Sequence, residues 1–279
     1  MYKILFKKTL AQSIHLMRIE APQIARKRKA GQFVILRLHD RGERVPLTMT
    51  TSDAKEGSIS IVFQEVGKTS MELAKMKQGD SILDVAGPLG NPTHIEKIGT
   101  VVCIGGGLGV APVYPIAVAM KEAGNKVISI IGARTKDLLI MEKEMRAASD
   151  ELLVSTDDGS YGFFGFVSQV LQGLIDKKTP INQVVTIGPV PMMKAVCEVA
   201  RPHNISTMVS LNPIMVDGTG MCGVCRVTIG GQMKFGCVDG PEFDGFKVDF
   251  AELSKRLRSY IEQEKISLDK FKCTQCAAM

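Results

Sequence analysis

The stretch from Met215 to Val238, MVDGTGMCGVCRVTIGGQMKFGCV, restricts this chain more than any other, because three of its seven cysteines stand there on glycine-rich backbone. Cys222-x2-Cys225-x11-Cys237 reproduces the last three positions of the Cys-x4-Cys-x2-Cys…Cys pattern that holds plant-type [2Fe-2S] centres. The first position is filled by Asp217. A carboxylate is anionic like a thiolate and ligates iron as a harder, less covalent donor, so a cluster with one oxygen ligand is sound chemistry. Gly218, Gly220 and Gly223 suit a loop that wraps closely round such a group. The expectation is a [2Fe-2S] cluster on Asp217, Cys222, Cys225 and Cys237. Two plainer readings compete with it. Asp before Gly is a common turn residue that caps its own backbone. A zinc-bearing interaction module would pair Cys222-x2-Cys225 with Cys273-x2-Cys276, at a separation longer than zinc ribbons use and with Cys237 stranded.

With 279 residues the chain can bury a substantial core and is expected to hold two or three modules. The N-terminal MYKILFKKTLAQSIHLM lacks the apolar run of a signal peptide, and no segment approaches the roughly 20 apolar residues of a membrane span. A cytoplasmic protein is expected, in which an odd number of cysteines serves metal or redox chemistry rather than a disulfide framework. The net charge of +6 is scattered apart from Arg26-Lys27-Arg28-Lys29, which reads as a solvated loop. Neither a basic stripe nor interleaved aromatics is visible, which argues against nucleic acid.

From Tyr2 to about Ile95 short alternating runs (KILFKK, SIHLMRIE, QFVILRL, VPLTMT, SISIVFQ, SILDV) are punctuated by turn residues, the pattern of an antiparallel barrel. One helical interruption is expected, from Thr69 to Met76. Its N-terminus, with Thr69 and Ser70 after Gly67-Lys68, offers amides, hydroxyls and an ammonium suited to a pyrophosphate, and reads equally well as an ordinary N-cap.

After this region the pattern changes. A buried-type strand, Thr100 to Ile104, runs into Gly105-Gly-Gly-Leu-Gly-Val-Ala-Pro112 and a helix to Ala123. Strands at Lys126 to Ile131, Glu151 to Ser155 and Gln183 to Gly188 alternate with helices at Lys136 to Ala148 and Phe166 to Ile175. Such alternation specifies a doubly wound parallel sheet, with ligands at the carboxyl ends of its strands. The loops at those ends are GGGLGVAP, GARTKD, STDDGSYG and GPVPMM. The usual Gly-x-Gly-x-x-Gly fingerprint is imperfect, since Val110 holds the third glycine position and no acid closes the second strand. Cys103 and Cys197 lie in apolar segments and read as core residues. The four His residues are isolated, so histidine catalysis is not expected.

These loops, in this order, resemble the ferredoxin reductase-like flavoproteins, in which an N-terminal barrel binds a flavin and a following sheet binds a nicotinamide nucleotide. Gly31-Gln32-Phe33 is similar to the family's strand signature. Pro46, Leu47 and Thr48 stand where an Arg-x-Tyr-Ser type motif contacts the flavin, with Val45 at the arginine position and Arg44 one residue earlier. The resemblance implies isoalloxazine contacts at Val62, Phe63 and Gln64, pyrophosphate contacts at Thr69 and Ser70, and a domain connection at Gly87-Pro88-Leu89-Gly90. In the nucleotide half it implies NAD(H) contacts at Gly106, Gly107, Leu108, Gly109 and Ala111, with Gly188, Pro189 and Met192 closing over the nicotinamide. Asp157 and Asp158 would repel a 2′-phosphate and accept from a ribose hydroxyl, whereas Arg134 after the second strand suits a phosphate.

The appended cluster loop narrows the resemblance to electron-transfer subunits of dihydroorotate dehydrogenases and their relatives. Asp217 in place of a cysteine resembles the small subunits of electron-bifurcating NADH-dependent reduced ferredoxin:NADP oxidoreductases. That resemblance implies a β plus α/β architecture: an FAD-binding barrel over 1–96, an NAD-binding domain over 97–211, and a [2Fe-2S] segment with C-terminal helix over 212–279. It also implies a larger glutamate synthase-like partner with a second FAD, [4Fe-4S] clusters and the NADP(H) site, linked indirectly to ferredoxin. Hydride exchange between nicotinamide and flavin, then single-electron exchange with the cluster, would leave the protein to position and polarise. An NAD-dependent dihydroorotate dehydrogenase subunit stands as the same-class alternative. Phe243 to Lys270 is expected to form a helix or helix pair that flanks the cluster or, equally well, packs on the partner.

Overall fold

The computed structural model describes residues 1–276, with side chains through Cys273. The chain begins with β1 (Tyr2–Ala11), β2 (Ile14–Glu20), a short helix α1 (Pro22–Lys27), β3 (Phe33–Arg37), β4 (Arg44–Asp53) and β5 (Ser58–Gln64). Helix α2 (Lys68–Lys75), β6 (Ser81–Ile82) and β7 (Asp84–Leu89) follow. The strands form one antiparallel sheet in the order β6-β1-β2-β5-β4-β3-β7. Its two edge strands are separated in the chain by Leu83 alone, so the sheet has curled until its edges nearly meet. Apolar residues on alternating positions fill the interior: Ile4, Met17, Ile19, Leu36, Met49, Ile59, Ile61 and Phe63 are all buried.

This half contains two helices where the sequence pattern suggested one. Pro22 starts α1, where its fixed φ suits the first turn and its missing N–H costs nothing. The basic run is only partly a solvated loop. Arg26 and Lys27 close α1, whereas Arg28 is half-buried and its Nη2 donates to the carbonyls of Met49 (2.8 Å) and Thr50 (3.2 Å).

The second half contains β8 (Thr100–Gly106), α3 (Val110–Glu122), β9 (Lys126–Ala133), α4 (Glu142–Ala148), β10 (Glu151–Thr156), β11 (Phe163–Phe164), α5 (Val167–Asp176), β12 (Gln183–Ile187), α6 (Val190–Ala200) and β13 (Ser206–Ser210). It continues with a hairpin of β14 (Arg226–Ile229) and β15 (Gln232–Phe235), then β16 (Glu242–Asp244), α7 (Phe250–Leu257) and α8 (Ile261–Cys276). The large sheet has the order β11-β10-β9-β8-β12-β13-β16 and is parallel except for β16. Helices α3 and α4 cover one face and α5 and α6 the other, so Val101, Val102, Cys103 and Ile104 of β8 have no solvent exposure at all. The helix expected over 136–148 is broken. A 3₁₀ turn ends at Leu138, Ile140 enters the core, and left-handed Met141 (φ 55°) precedes α4. The C-terminal segment forms the expected helix pair, but only after Glu242–Asp244 has joined the sheet edge.

The cluster loop lies between β13 and β16 and packs on the barrel. Met215, Cys225 and Cys237 share one apolar cluster with Phe33 and Ile35 of β3, and Leu89 of β7 lies against it. The connection between the halves is held to the same segment. Asn91 donates through its amide N–H to the Gly240 carbonyl (2.7 Å) and through Nδ2 to the Val238 carbonyl (3.0 Å). Among the described residues no helix is long and apolar enough to cross a membrane.

Candidate functional site

On the barrel, Pro46, Leu47 and Thr48 lie along β4, paired with Ile35, Val34 and Phe33 of β3. Val62, Phe63 and Gln64 end β5, with the Phe63 ring turned into the barrel core against His15. Thr69 and Ser70 occupy the first turn of α2. The Ser70 hydroxyl accepts from the amides of Val66 and Gly67 (both 2.9 Å), reaching back from the third helical position to the N-cap residue Gly67, and buried Thr69 donates to Glu43 Oε2 (2.8 Å). Pattern reasoning missed Glu43, whose only sequence signal is its place in a polar turn.

The large sheet reverses its winding between β8 and β12, the switch point where open α/β sheets bind ligands. Glycine spacing explains how the two loops there approach each other. A side chain on Gly109 would meet the Ile187 carbonyl oxygen at 2.1 Å, so α3 starts hard against the end of β12. Met192 lies against both Gly106 and Gly188, bringing together Gly106, Gly188, Pro189 and Met192, while open space faces Gly107. Leu108 and Ala111 turn inward toward the apolar cluster between the two halves. Farther out, the loops after β9 and β10 are joined: the amides of Asp157 and Asp158 donate to the carbonyls of Ala133 (3.1 Å) and Arg134 (3.2 Å). The two acids differ. Asp158 accepts from the Ser160 hydroxyl (2.6 Å) and amide (3.0 Å), bonds that hold its carboxyl below the usual range and commit it to the loop. Asp157 and Arg134 are exposed at the mouth.

In the cluster loop Cys225 and Cys237 converge, with sulfurs 3.2 Å apart and both residues 2% exposed. That exceeds the ~2.05 Å of a disulfide bond, and both thiols are free. Burial, and then the neighbouring Cys225, pushes the Cys237 thiol up to about 12. Two buried sulfurs brought this close are a fitting donor pair for a metal centre, whose positive charge deprotonates coordinating thiols. Cys222 is exposed on the same loop, apart from the pair. The Asp217 carboxylate accepts from the Thr219 hydroxyl and amide and from the Met221 amide; these bonds, helped by the Arg44 charge, hold it below the usual range. It is thus anionic and caps its own turn. Among the described residues no three His, Cys, Asp or Glu side chains are already gathered as a metal site. Cys273 is exposed on α8, which reaches back to α2 through Phe271, whose ring lies 5.0 Å from Lys75 Nζ. The Cys276 side chain lies outside the described residues.

Residues 212–249 match the iron-sulfur cluster binding domain of dihydroorotate dehydrogenase B, and residues 103–198 match the oxidoreductase NAD-binding domain. A dihydroorotate dehydrogenase B (NAD(+)) electron transfer subunit homolog from Thermotoga maritima is 51% identical over 96% of this chain and 95% of its own length. The chain belongs to the dihydroorotate dehydrogenase B electron transfer subunit family. Another member, the subunit of Bacillus caldolyticus, is 32% identical over 85% of this chain and 93% of its own length. The fold of this electron-transfer subunit also superimposes on a chain of the NADH-dependent reduced ferredoxin-NADP oxidoreductase, a structure described in terms of flavin-based electron bifurcation. The TM-score is 0.93 and the identity 48%, covering 97% of this chain and 98% of that one. The family member described here is therefore an oxidoreductase subunit that joins an NAD-binding domain to an iron-sulfur binding domain.

Proposed function

We propose that the chain is the small electron-transfer subunit of an NADH-dependent reduced ferredoxin:NADP oxidoreductase that bifurcates electrons, working in the cytoplasm. Residues 1–96 would carry FAD, 97–211 NAD(H), and 212–279 a [2Fe-2S] cluster. Its larger partner would be a glutamate synthase-like subunit with a second FAD, [4Fe-4S] clusters and the NADP(H) site. The observation carrying this reading is the near-complete structural correspondence to the bifurcating enzyme's chain, which includes the cluster loop. Relatives named as dihydroorotate dehydrogenase B subunits favour a second reading, with dihydroorotate dehydrogenase as the partner.

When bound, the flavin and the cluster supply the conversion between a two-electron hydride donor and single electrons. The residues of the chain divide the positioning work. The first-turn amides of α2 would receive the pyrophosphate, and Pro46, Leu47 and Thr48 with the end of β5 would flank the flavin ring. Gly107, which faces open space, would let the backbone approach the nicotinamide nucleotide, Gly106 and Gly109 keep the two loops close together, and Gly188, Pro189 and Met192 would shield the nucleotide from water. Asp157 accepts from the adenosine ribose and disfavours a 2′-phosphate. Cys225 and Cys237, already adjacent, would hold the cluster together with Cys222 and Asp217.

The test is the visible spectrum of the purified chain, together with the identity of whatever co-purifies. Flavin and [2Fe-2S] absorption bleached by NADH faster than by NADPH, with a large flavin and [4Fe-4S] subunit attached, is expected. A colourless zinc protein would defeat the reading, and a dihydroorotate dehydrogenase partner would replace it with the second.

A further inference from the structure

A cleft of about 690 Å³ opens between β4, the connection after β7 and the part of α3 from Tyr114 to Glu122, and no residue of the nucleotide loops lines it. Its volume is within the range of small-molecule sites. At one end lie Arg28, Lys29 and Thr50; Ile95 and Val118 supply apolar wall. Two polar atoms there are buried and unpartnered: Arg28 Nε and Thr50 Oγ1. Thr50 is only 2% exposed, and it is the extra residue at the irregularity where β4 passes from the Met49↔Ile61 pair to the Thr51↔Ser60 pair. Bulges of this kind re-aim a side chain and occur beside functional sites. A buried hydroxyl and a guanidinium N–H left without partners each cost free energy that a ligand would recover.

Charge is distributed along the cleft. Burial works against the Arg28 charge, and the Tyr114 phenol stands close enough to feel it. Glu122, the only acid lining the cleft, is two turns farther along α3, about 12 Å from the level of Tyr114. One end therefore favours an anion, the middle an apolar body, and the far end a hydroxyl or amino donor.

We propose that this cleft is a second small-molecule site, separate from the NAD(H) loops, that takes a nucleotide-sized phosphate ester. Its phosphate bonds to Arg28, Lys29 and the Thr50 hydroxyl, its ring lies along Ile95 and Val118, and Glu122 accepts from its distal hydroxyl or amino group. The occupant bridges barrel and α3, the helix whose first turn follows the Gly105–Gly109 loop.

The test uses the FAD-loaded chain saturated with NAD+, so that both nucleotide positions proposed above are filled, and follows AMP, adenosine and inorganic phosphate by titration calorimetry. One equivalent of AMP should bind, phosphate should compete with it, and adenosine should bind at least tenfold more weakly. Lys29→Gln and Thr50→Val should each weaken AMP several-fold with flavin content and NADH-dependent flavin reduction unchanged. Arg28→Gln should weaken it most, but it also releases the Met49 and Thr50 carbonyls, so the first two variants decide. AMP binding that vanishes under NAD+, that is equal in Lys29→Gln and Thr50→Val, or that fails to occur overturns the proposal.

Discussion

Gly218→Ala tests whether the cluster loop is seated on the barrel. Gly218 has φ +83°, a region costing an alanine about 1 kcal/mol or slightly more. The added Cβ would stand 2.5 Å from Ile35 Cδ1 and 2.9 Å from Leu89 Cδ1. Both are side-chain ends that can yield in part, so overpacking adds about 1 to 2 kcal/mol. The total is about 2 to 3 kcal/mol. Gly231→Ala is the control: its φ is +78° and nothing lies within 4 Å of the new Cβ, so only the backbone cost of about 1 kcal/mol applies. Ile35→Val removes the atom at 2.5 Å and by itself costs about 1 kcal/mol. In the double variant the two losses should overlap, with a coupling of about 1 kcal/mol. Urea unfolding, followed in parallel by far-ultraviolet signal and visible cluster absorbance, measures all four proteins. Strictly additive losses for Gly218→Ala and Ile35→Val, or equal losses for Gly218→Ala and Gly231→Ala, would refute the docking of this loop on β3 and β7.

Glu242 is pushed up to about 7 by burial, despite the hydrogen bond it accepts from Thr93 Oγ1. Because its folded value lies above its ordinary 4.5, folded protein holds the proton more tightly, and stability is lost as pH rises from about 4.5 through 7. Glu242→Gln should therefore gain up to about 3 kcal/mol over the parent at pH 8 and nothing at pH 4.5, and a pH-independent difference in urea midpoints would contradict this. Asp217→Ala should lose or loosen the cluster and Asp217→Cys should keep one with altered spectrum, while Cys273→Ser with Cys276→Ser leaves it intact. An unchanged cluster in Asp217→Ala would reduce that residue to its turn. Asp157→Ser should narrow the preference of flavin reduction for NADH over NADPH severalfold, and Arg134→Ala should not; the opposite pattern would hand the adenosine end to Arg134.

Periodicity made most of the fold legible. The barrel strands and β8, β9, β10 and β12 are strong because burial imposes a period of two, or an unbroken apolar run, on their residues. What escaped was set by tertiary context. Glu242–Asp244 is too short to show a period and becomes a strand only because the edge of β13 is there to pair with. The 136–148 segment has helical composition, but its LLIM run is drawn into the core and breaks the helix. At the candidate site, spacing singled out Cys225 and Cys237, which the fold brings together, and composition singled out the glycine loops that meet at Met192. Arg28 was hidden inside a basic run, because sequence cannot tell which of four adjacent cations turns inward onto carbonyls 21 and 22 residues away.

The cluster loop leaves the large sheet after β13 and returns to it at β16. Ser210 faces Glu242 across that pairing, and the Leu211 amide donates to the Pro241 carbonyl (2.9 Å) just beyond it. Topologically the segment is one long hairpin whose two ends meet. Its chain entropy of closure is settled at the base, whatever happens at the tip. A segment with coincident ends is transplantable: Leu211–Pro241 could be excised and bridged by a tight turn while the parallel strands keep their order.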